Sequence, residues 1–276
     1  MEAAYLFGPF IGSLFWEVHK FCGYALYMKK EHPKHRLLLM TRPERFDFYG
    51  EYGDIFVPLK WFNNNIDKEK NQNCFKLNGL HESIYYDMVS FFYNKYKDKY
   101  NIVDHFYPDI RGFRYKLKWQ FPRYKMIYDF MPRNENNIFV DKLLNNSKPC
   151  ILFDFSWTSD NNLKHLILSK FKKFTNYNFV VYDDSNFYEE GIIFVNKSLN
   201  FIENTSLYGV ILSILKRSFI LVGNLKSDIS KISLLSGLKS VLIMENLSND
   251  EISLINPKKT KVFLAKNIGD INENNI

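Results

Sequence analysis

Cysteine is scarce in this chain of 276 residues, and the three present, Cys22, Cys74 and Cys150, lie far apart. No C-x-x-C pair and no Cys/His spacing suited to zinc occurs, which excludes a zinc module and makes a reducing compartment, the cytoplasm, the expected setting. Long hydrophobic runs are missing too. The most apolar late stretch, Leu207 to Gly223, is split by Lys216 and Arg217 and falls short of the ~20 clean residues a membrane span requires. The opening MEAAYLFGPFIGSLFW has no basic n-region, carries Glu2 and is broken by Gly8, Pro9 and Gly12, so it reads as a first strand and glycine turn rather than a secretory leader. Matches to the N-x-S/T sequon at Asn145, Asn196, Asn204 and Asn246 then reflect abundant asparagine.

What is present is globular. Hydrophobic residues make up 46% and charged ones 24%, excluding wholesale disorder and collagen-like structure, and the length suits two domains of ordinary size. The aromatic share of 17% supplies more ring surface than a core alone uses. Lys plus Arg outnumber Asp plus Glu by 37 to 30, a formal charge of +7, which favours anionic partners such as nucleotides, phosphorylated sugars, nucleic acid or lipid heads, or serves solubility alone.

The hydrophobic pattern alternates strand and helix. Ala4 to Phe7, Arg36 to Met40 and Ile55 to Val57 are short continuous apolar runs, and His81 to Tyr100 has helical spacing at Ile84, Met88, Phe91, Phe92 and Tyr96. Continuous strands between helices predict a parallel sheet covered on both faces. Asn145 to Pro149 is a polar cluster closing on proline, the strongest linker signal in the chain. After it the pattern predicts strands at 150–155, 178–182, 192–195, 219–222 and 240–244 and helices at 163–174, 207–216 and 229–236. That is a second α/β unit of Rossmann type. The expectation is an α/β chain of two Rossmann-like domains, 1–145 and 146–276, with their ligand sites at the carboxyl ends of the strands and facing a cleft.

Two stretches resemble a known family. The run Phe7-Gly8-Pro9-Phe10-Ile11-Gly12-Ser13-Leu14-Phe15-Trp16-Glu17, followed by Thr41-Arg42-Pro43-Glu44-Arg45 and the aromatic acidic segment to Asp54-Ile55-Phe56, resembles the N-terminal half of a group of bacterial and viral glycosyltransferases. Those open with G-P-x-x-G-E-x-G-W-E and carry a later S-R-P-G-x-E element. Leu199, Thr205-Ser206-Leu207, the helix to Lys216, Phe219 to Gly223, Ser227 and Leu235-Ser236-Gly237 are similar to the nucleotide-binding half of heptosyltransferase-like GT-B enzymes. The resemblance implies a GT-B fold, a nucleotide-sugar co-substrate of the UDP-sugar type, no metal or other cofactor, and a C-terminal tail returning to the first domain from about residue 256. A viral member would work in the host cytoplasm.

Three departures bear on chemistry. The family acid after the second glycine is Ser13, the second residue of an S/T-G pair is Asp228, and the histidine that faces the donor phosphates in relatives is matched by Lys231, which keeps a cation there. With the acid replaced, the candidates for the catalytic group are Ser13 itself, Glu17 and His19. Glu17 can equally hold the glycine loop, and His19 can equally be a surface histidine.

For the donor, the turn from Gly223 to Ser230 precedes a helix, so its backbone N–H groups, Ser227 and Lys231 suit an anion site. Gly223 can instead merely end a strand, with Lys231 solvated. Thr205 and Ser206 read as an N-cap, a donor contact, or both. Ser156, Trp157 and Thr158 follow the first strand of the second half, where a phosphate or ribose contact belongs, although Trp157 can simply pack. On the acceptor side stand Gly12 and the pair Arg42 and Arg45, which bind acceptor phosphate or brace the loop. The basic aromatic segment Arg111 to Arg133, with Arg114, Lys116 and Lys118, has the ingredients of a nucleic-acid groove or of an irregular connection. Viral relatives make double-stranded DNA with hydroxymethylated pyrimidines one expected acceptor, and a free or lipid-linked glycan the other.

Two rival patterns are weaker. Val180 to Ser185 runs an apolar strand into adjacent acids, Asp183 and Asp184, which evokes the D-x-D metal motif of GT-A enzymes without its spacing. Gly8 and Gly12 lack the third glycine of a dinucleotide fingerprint. A binding protein on a transferase fold is the non-enzymatic alternative.

Overall fold

A computed structural model describes residues 1–10, 12, 14–59, 82–108, 125–144, 148–183, 185, 187–196, 205–245 and 255–271. The chain divides into two compact units, Met1–Met131 and Pro132–Ile276. Among the described residues no helix is long and apolar enough to cross a membrane.

The first unit carries the strands β1 (Ala3–Phe7), β2 (Arg36–Thr41), β3 (Ile55–Pro58) and β4 (Asn101–Phe106) in the order β3-β2-β1-β4, every pair parallel. Its helices are α1 (Leu14–Trp16), which continues through a π-helical turn at Glu17–Cys22 into α2 (Gly23–Glu31), then α3 (Phe46–Tyr49) and α4 (Glu82–Tyr96). The apolar runs at β1 and β2 are buried because helices cover both faces, as the continuous pattern predicts. Strand β4 was not anticipated. It is an edge strand with an exposed Asp104 and Val103, so one flank escapes the core and its apolar signal is diluted.

The second unit holds α5 (Asn134–Leu144), β5 (Cys150–Asp154), α6 (Asn161–Phe171), β6 (Asn178–Tyr182), β7 (Ile193–Val195), α7 (Leu207–Arg217), β8 (Ser218–Gly223), α8 (Asp228–Leu235), β9 (Ser240–Met244) and β10 (Thr260–Leu264). The sheet order is β10-β9-β8-β5-β6-β7, all parallel. This is the doubly wound order, with its topological switch between β5 and β8. Phe153, Phe155, Ile167, Phe171, Val181 and Val222 pack together in its core.

The two compact units divide ahead of α5, where the expected boundary was Asn145 to Pro149. Buried Asn136 accepts the Ser206 N–H at 3.1 Å, and Arg217 reaches Asn137 and Asp141 at 3.3 and 2.8 Å, so α5 is bonded to α7. Gly209 permits this approach, because a Cβ there would overlap the Asn136 side chain. In the tail, β10 pairs with β9, and Ile268 and Ile271 join the second core.

A fragment of residues 132–276 should therefore fold alone, and one starting at residue 146 should be less stable by about 1–3 kcal/mol, the usual penalty for an unmade buried hydrogen bond. Urea unfolding of the two fragments checks this; equal stabilities would detach α5 from the second unit.

Candidate functional site

At the switch point of the second sheet the chain gathers hydroxyl groups around one acid. Asp154, the last residue of β5, is fully buried. Its Oδ1 accepts from the Ser156 hydroxyl at 2.7 Å and the Ser156 N–H at 3.3 Å. Its Oδ2 accepts from the Ser230 hydroxyl at 2.6 Å and the Ser230 N–H at 3.1 Å. Burial pushes the Asp154 carboxyl above the usual range, opposed by hydrogen bonds from Ser227, Ser230 and Ser156. Gly223 ends β8 against this cluster, and any Cβ there would overlap Ser230 Oγ. The glycine is thus a requirement of close packing.

Ser227 caps α8, its hydroxyl accepting the Ile229 N–H at 3.2 Å, and it lies 3.1 Å from Ser156 Oγ. These contacts tie the cap of α8 to the acid at the end of β5 through the Ser156 hydroxyl.

The backbone of the same turn is less available than the sequence suggests. The N–H groups of Lys226 and Ser227 donate to Asn224, that of Ile229 to Ser227, that of Ser230 to Asp154 and that of Lys231 to the Ser227 carbonyl. An incoming anion would meet side chains more than amides. Lys231 is half-buried, with its ammonium 3.8 Å from Asp228. Thr158 belongs to the turn into α6, its hydroxyl accepting the Asp160 N–H at 3.1 Å. Trp157 packs on the core, in line with the packing alternative. Ser206 caps α7, accepting the Gly209 N–H at 3.0 Å, and half-buried Thr205 precedes it.

At the end of β6, Asp183 is bound by fully buried Lys164 at 2.7 Å, and the same ammonium reaches Ser185 at 2.8 Å. That pairing takes Asp183 out of a metal motif; Asp184 lies outside the described residues. Among the described residues no group of three or more His, Cys, Asp or Glu side chains is placed to hold a metal ion.

In the first unit, Glu17 is buried with both oxygens engaged, Oε2 by Arg45 at 2.7 Å and Oε1 by the Tyr49 hydroxyl at 2.9 Å. Arg45 also donates to the Gly12 carbonyl at 2.8 Å. Burial, then the Glu17 charge, raises the Tyr49 phenol well above its usual pKa. In this geometry Glu17 and Arg45 brace the glycine loop, the second of the two readings the sequence allowed for each, and no Glu17 oxygen is left open to an acceptor proton. Arg42 is buried beside them in sequence. His19 sits in the π-helical turn, half-buried, with Nδ1 2.9 Å from Tyr128 Oη and its ring stacked on Phe15. Ser13, Arg114, Lys116 and Lys118 lie outside the described residues.

The sequence matches no family of proteins and no curated protein. Solved structures do match. A glycosyl transferase family 9 protein from Veillonella parvula aligns with a TM-score of 0.56 and 8% identity over 95% of this chain and 87% of its own. The E. coli heptosyltransferase WaaC, solved with ADP, gives 0.52 and 9% over 99% and 100%, and E. coli ADP-heptose lps heptosyltransferase II gives 0.50 and 10% over 99% and 95%. The chain has the fold of these glycosyltransferases. At such identities the likeness is one of fold, and site residues must be judged on their own geometry.

Asp154 and Ser230 are the residues of this candidate site that sequence reasoning missed. Asp154 sits inside an apolar strand, CILFD, where an acid at the carboxyl end of the first strand of a doubly wound unit was the available signal.

Asp154→Asn keeps an acceptor toward Ser230 and mimics the protonated acid, so it should match the wild type below about pH 4. Because the folded pKa is raised, the folded wild type holds its proton more tightly than the unfolded chain and loses stability as pH rises through that pKa. Asp154→Asn should gain on the wild type over that interval. Asp154→Ala, which strands the Ser230 N–H, should lose about 1–3 kcal/mol. Urea unfolding against pH tests this, and an Asn-to-Asp difference that ignores pH would mean that folding does not shift the Asp154 pKa.

Proposed function

We propose that this protein is a glycosyltransferase that takes its sugar from a nucleoside-diphosphate sugar held at the β5/β8 switch point. The observation that carries the reading is the doubly wound order with Ser156, Gly223 and Ser227 collected at its break and Lys231 in the first turn of α8. In such sheets ligands bind outside the carboxyl ends of the strands where the winding reverses.

In this reading Lys231 offsets diphosphate charge, and the Ser227 and Ser156 hydroxyls are donors for phosphate oxygens. Departure of the nucleoside diphosphate is then stabilised by one ammonium, by hydroxyls and by the positive end of α8, without metal. Glu17 and Arg45 hold the glycine loop, which leaves His19 and Ser13 as candidates for deprotonating the acceptor. Both ADP- and UDP-sugars are first probes: UDP from the sequence resemblance, ADP from the heptosyltransferase neighbours.

For the acceptor, the +7 charge and the segment 111–133 support a hydroxymethylated base in DNA, as does membership of the viral group suggested by Gly8, Pro9, Gly12, Trp16 and Glu17. A glycan is supported by the first unit's own cavity, described below. A binding protein without turnover is the reading favoured by the engagement of Glu17 and the loss of the family acid at Ser13.

A panel of nucleotide sugars screened for release of free nucleoside diphosphate tests the proposal. Lys231→Ala should weaken nucleotide binding about ten-fold or more, the ~1.5–3 kcal/mol of one charged hydrogen bond, and turnover should survive EDTA. Unchanged affinity in Lys231→Ala would misplace the anion site. Loss with EDTA and recovery with manganese would favour a metal-dependent mechanism, and binding without release would favour the non-enzymatic reading.

A further inference from the structure

The first unit contains an open cavity of about 450 Å³ between α4 and β4, within the size range of small-molecule sites. Ser90, Tyr93 and Asn94 from α4 and Asp104, His105 and Tyr107 from β4 and its end line it. None of these residues belongs to the glycine-loop braces or to the donor half.

The protonation of His105 is set by its partner. Nε2 lies 2.7 Å from the Gly8 carbonyl oxygen, which can only accept, so Nε2 carries hydrogen whether the ring is neutral or charged. In the neutral ring, Nδ1 is then the acceptor, and it makes no hydrogen bond among the described residues. Burial lowers the His105 pKa, against the opposing effects of the Gly8 bond and the Asp104 charge, which favours the neutral form. The ring is fixed by Phe92 at 5.5 Å edge-on, Tyr93 at 6.3 Å stacked and Tyr107 at 4.9 Å edge-on.

The lining chemistry selects a ligand class. Three hydroxyls, one amide, one carboxylate and one imidazole acceptor line the space beside Val89, and among the described residues no lysine or arginine lines it. A phosphate or nucleic-acid backbone would find no countercharge among these residues and would face the Asp104 carboxylate. A ligand rich in hydroxyl donors would pair with Asp104, Asn94 and His105 Nδ1. Tyr93, stacked on His105 on one side, remains 42% exposed, so ring surface is left for the C–H face of a saturated ring.

We propose that this cavity binds a neutral carbohydrate, and that it is the acceptor subsite of the transferase. The second half of that statement rests on the glycosyltransferase reading; the first half does not.

The test uses the full chain without nucleotide. Saturation-transfer NMR with methyl glycosides of glucose, galactose and mannose, and with short neutral oligosaccharides, should detect at least one ligand of about millimolar affinity, or ~4 kcal/mol. Tyr93→Ala should weaken it at least ten-fold. His105→Gln, which keeps an N–H for the Gly8 carbonyl but lacks the ring acceptor, should do the same. Circular-dichroism melting monitors folding, and Tyr93→Ala, on an exposed helix face, serves if His105→Gln does not fold. Absence of binding to every neutral glycoside, binding that ignores both variants, or displacement of the sugar by hydroxymethylated duplex DNA at equal concentration would each overturn the proposal. Sugar binding with no nucleoside diphosphate release would defeat the transferase reading and leave the carbohydrate site standing. Release of nucleoside diphosphate without sugar binding would do the reverse.

Discussion

A carboxyl group removed from water must either find hydrogen-bond donors or give up its charge, and Asp154 answers with both. Two hydrogen bonds from Ser230 join the end of β5 to the first turn of α8, the two elements that meet where the sheet reverses its winding, and two from Ser156 hold the loop after β5. The absence of a side chain at Gly223 lets Ser230 come close enough. Without this anchor the hydroxyls of Ser156 and Ser227 would have no fixed relation, since they come from segments 71 residues apart in sequence. Its raised pKa follows from the same burial.

The first unit solves a related problem differently. Glu17 is buried there with its oxygens satisfied by Arg45 and Tyr49, and Arg45 also holds the Gly12 carbonyl. Such a pair contributes modest net stability, yet removing one partner strands the other charge. Its role is the shape of the loop after β1. A second buried pair, Lys164 with Asp183, does the same for the loop after β6. In each case a charged residue that looks reactive in the sequence is spent on holding a loop at the carboxyl end of a strand.

The resemblance to glycosyltransferases was legible first in sparse residues and then in the fold, through different physics. Glycines, prolines and hydroxyl caps recur where backbone geometry demands them, so Gly223, Ser227 and Ser206 stand at turns and caps. The acids could not be sorted this way. Asp183 and Glu17 read as candidate ligands or bases because a sequence shows a charge without its partner, and their partners lie 19 and 28 residues away. Asp154 was overlooked for the converse reason: one acid closing an apolar strand resembles the start of a turn.

By itself the sequence determined the α/β class, most of the strands and helices, and the presence of two units, because continuous apolar runs and helical spacing are local consequences of burial. Tertiary structure decided where the chain divides, since α5 has a polar start and declares itself only through Asn136 against Ser206 and Gly209. It decided that β4 and β10 exist, because edge strands have one uncovered flank and a weak pattern. It also decided which charges remain for chemistry. Pairing and desolvation depend on neighbours distant along the chain, and those forces separate the buried braces Glu17, Arg45, Lys164 and Asp183 from the groups at the β5/β8 break and in the His105 cavity.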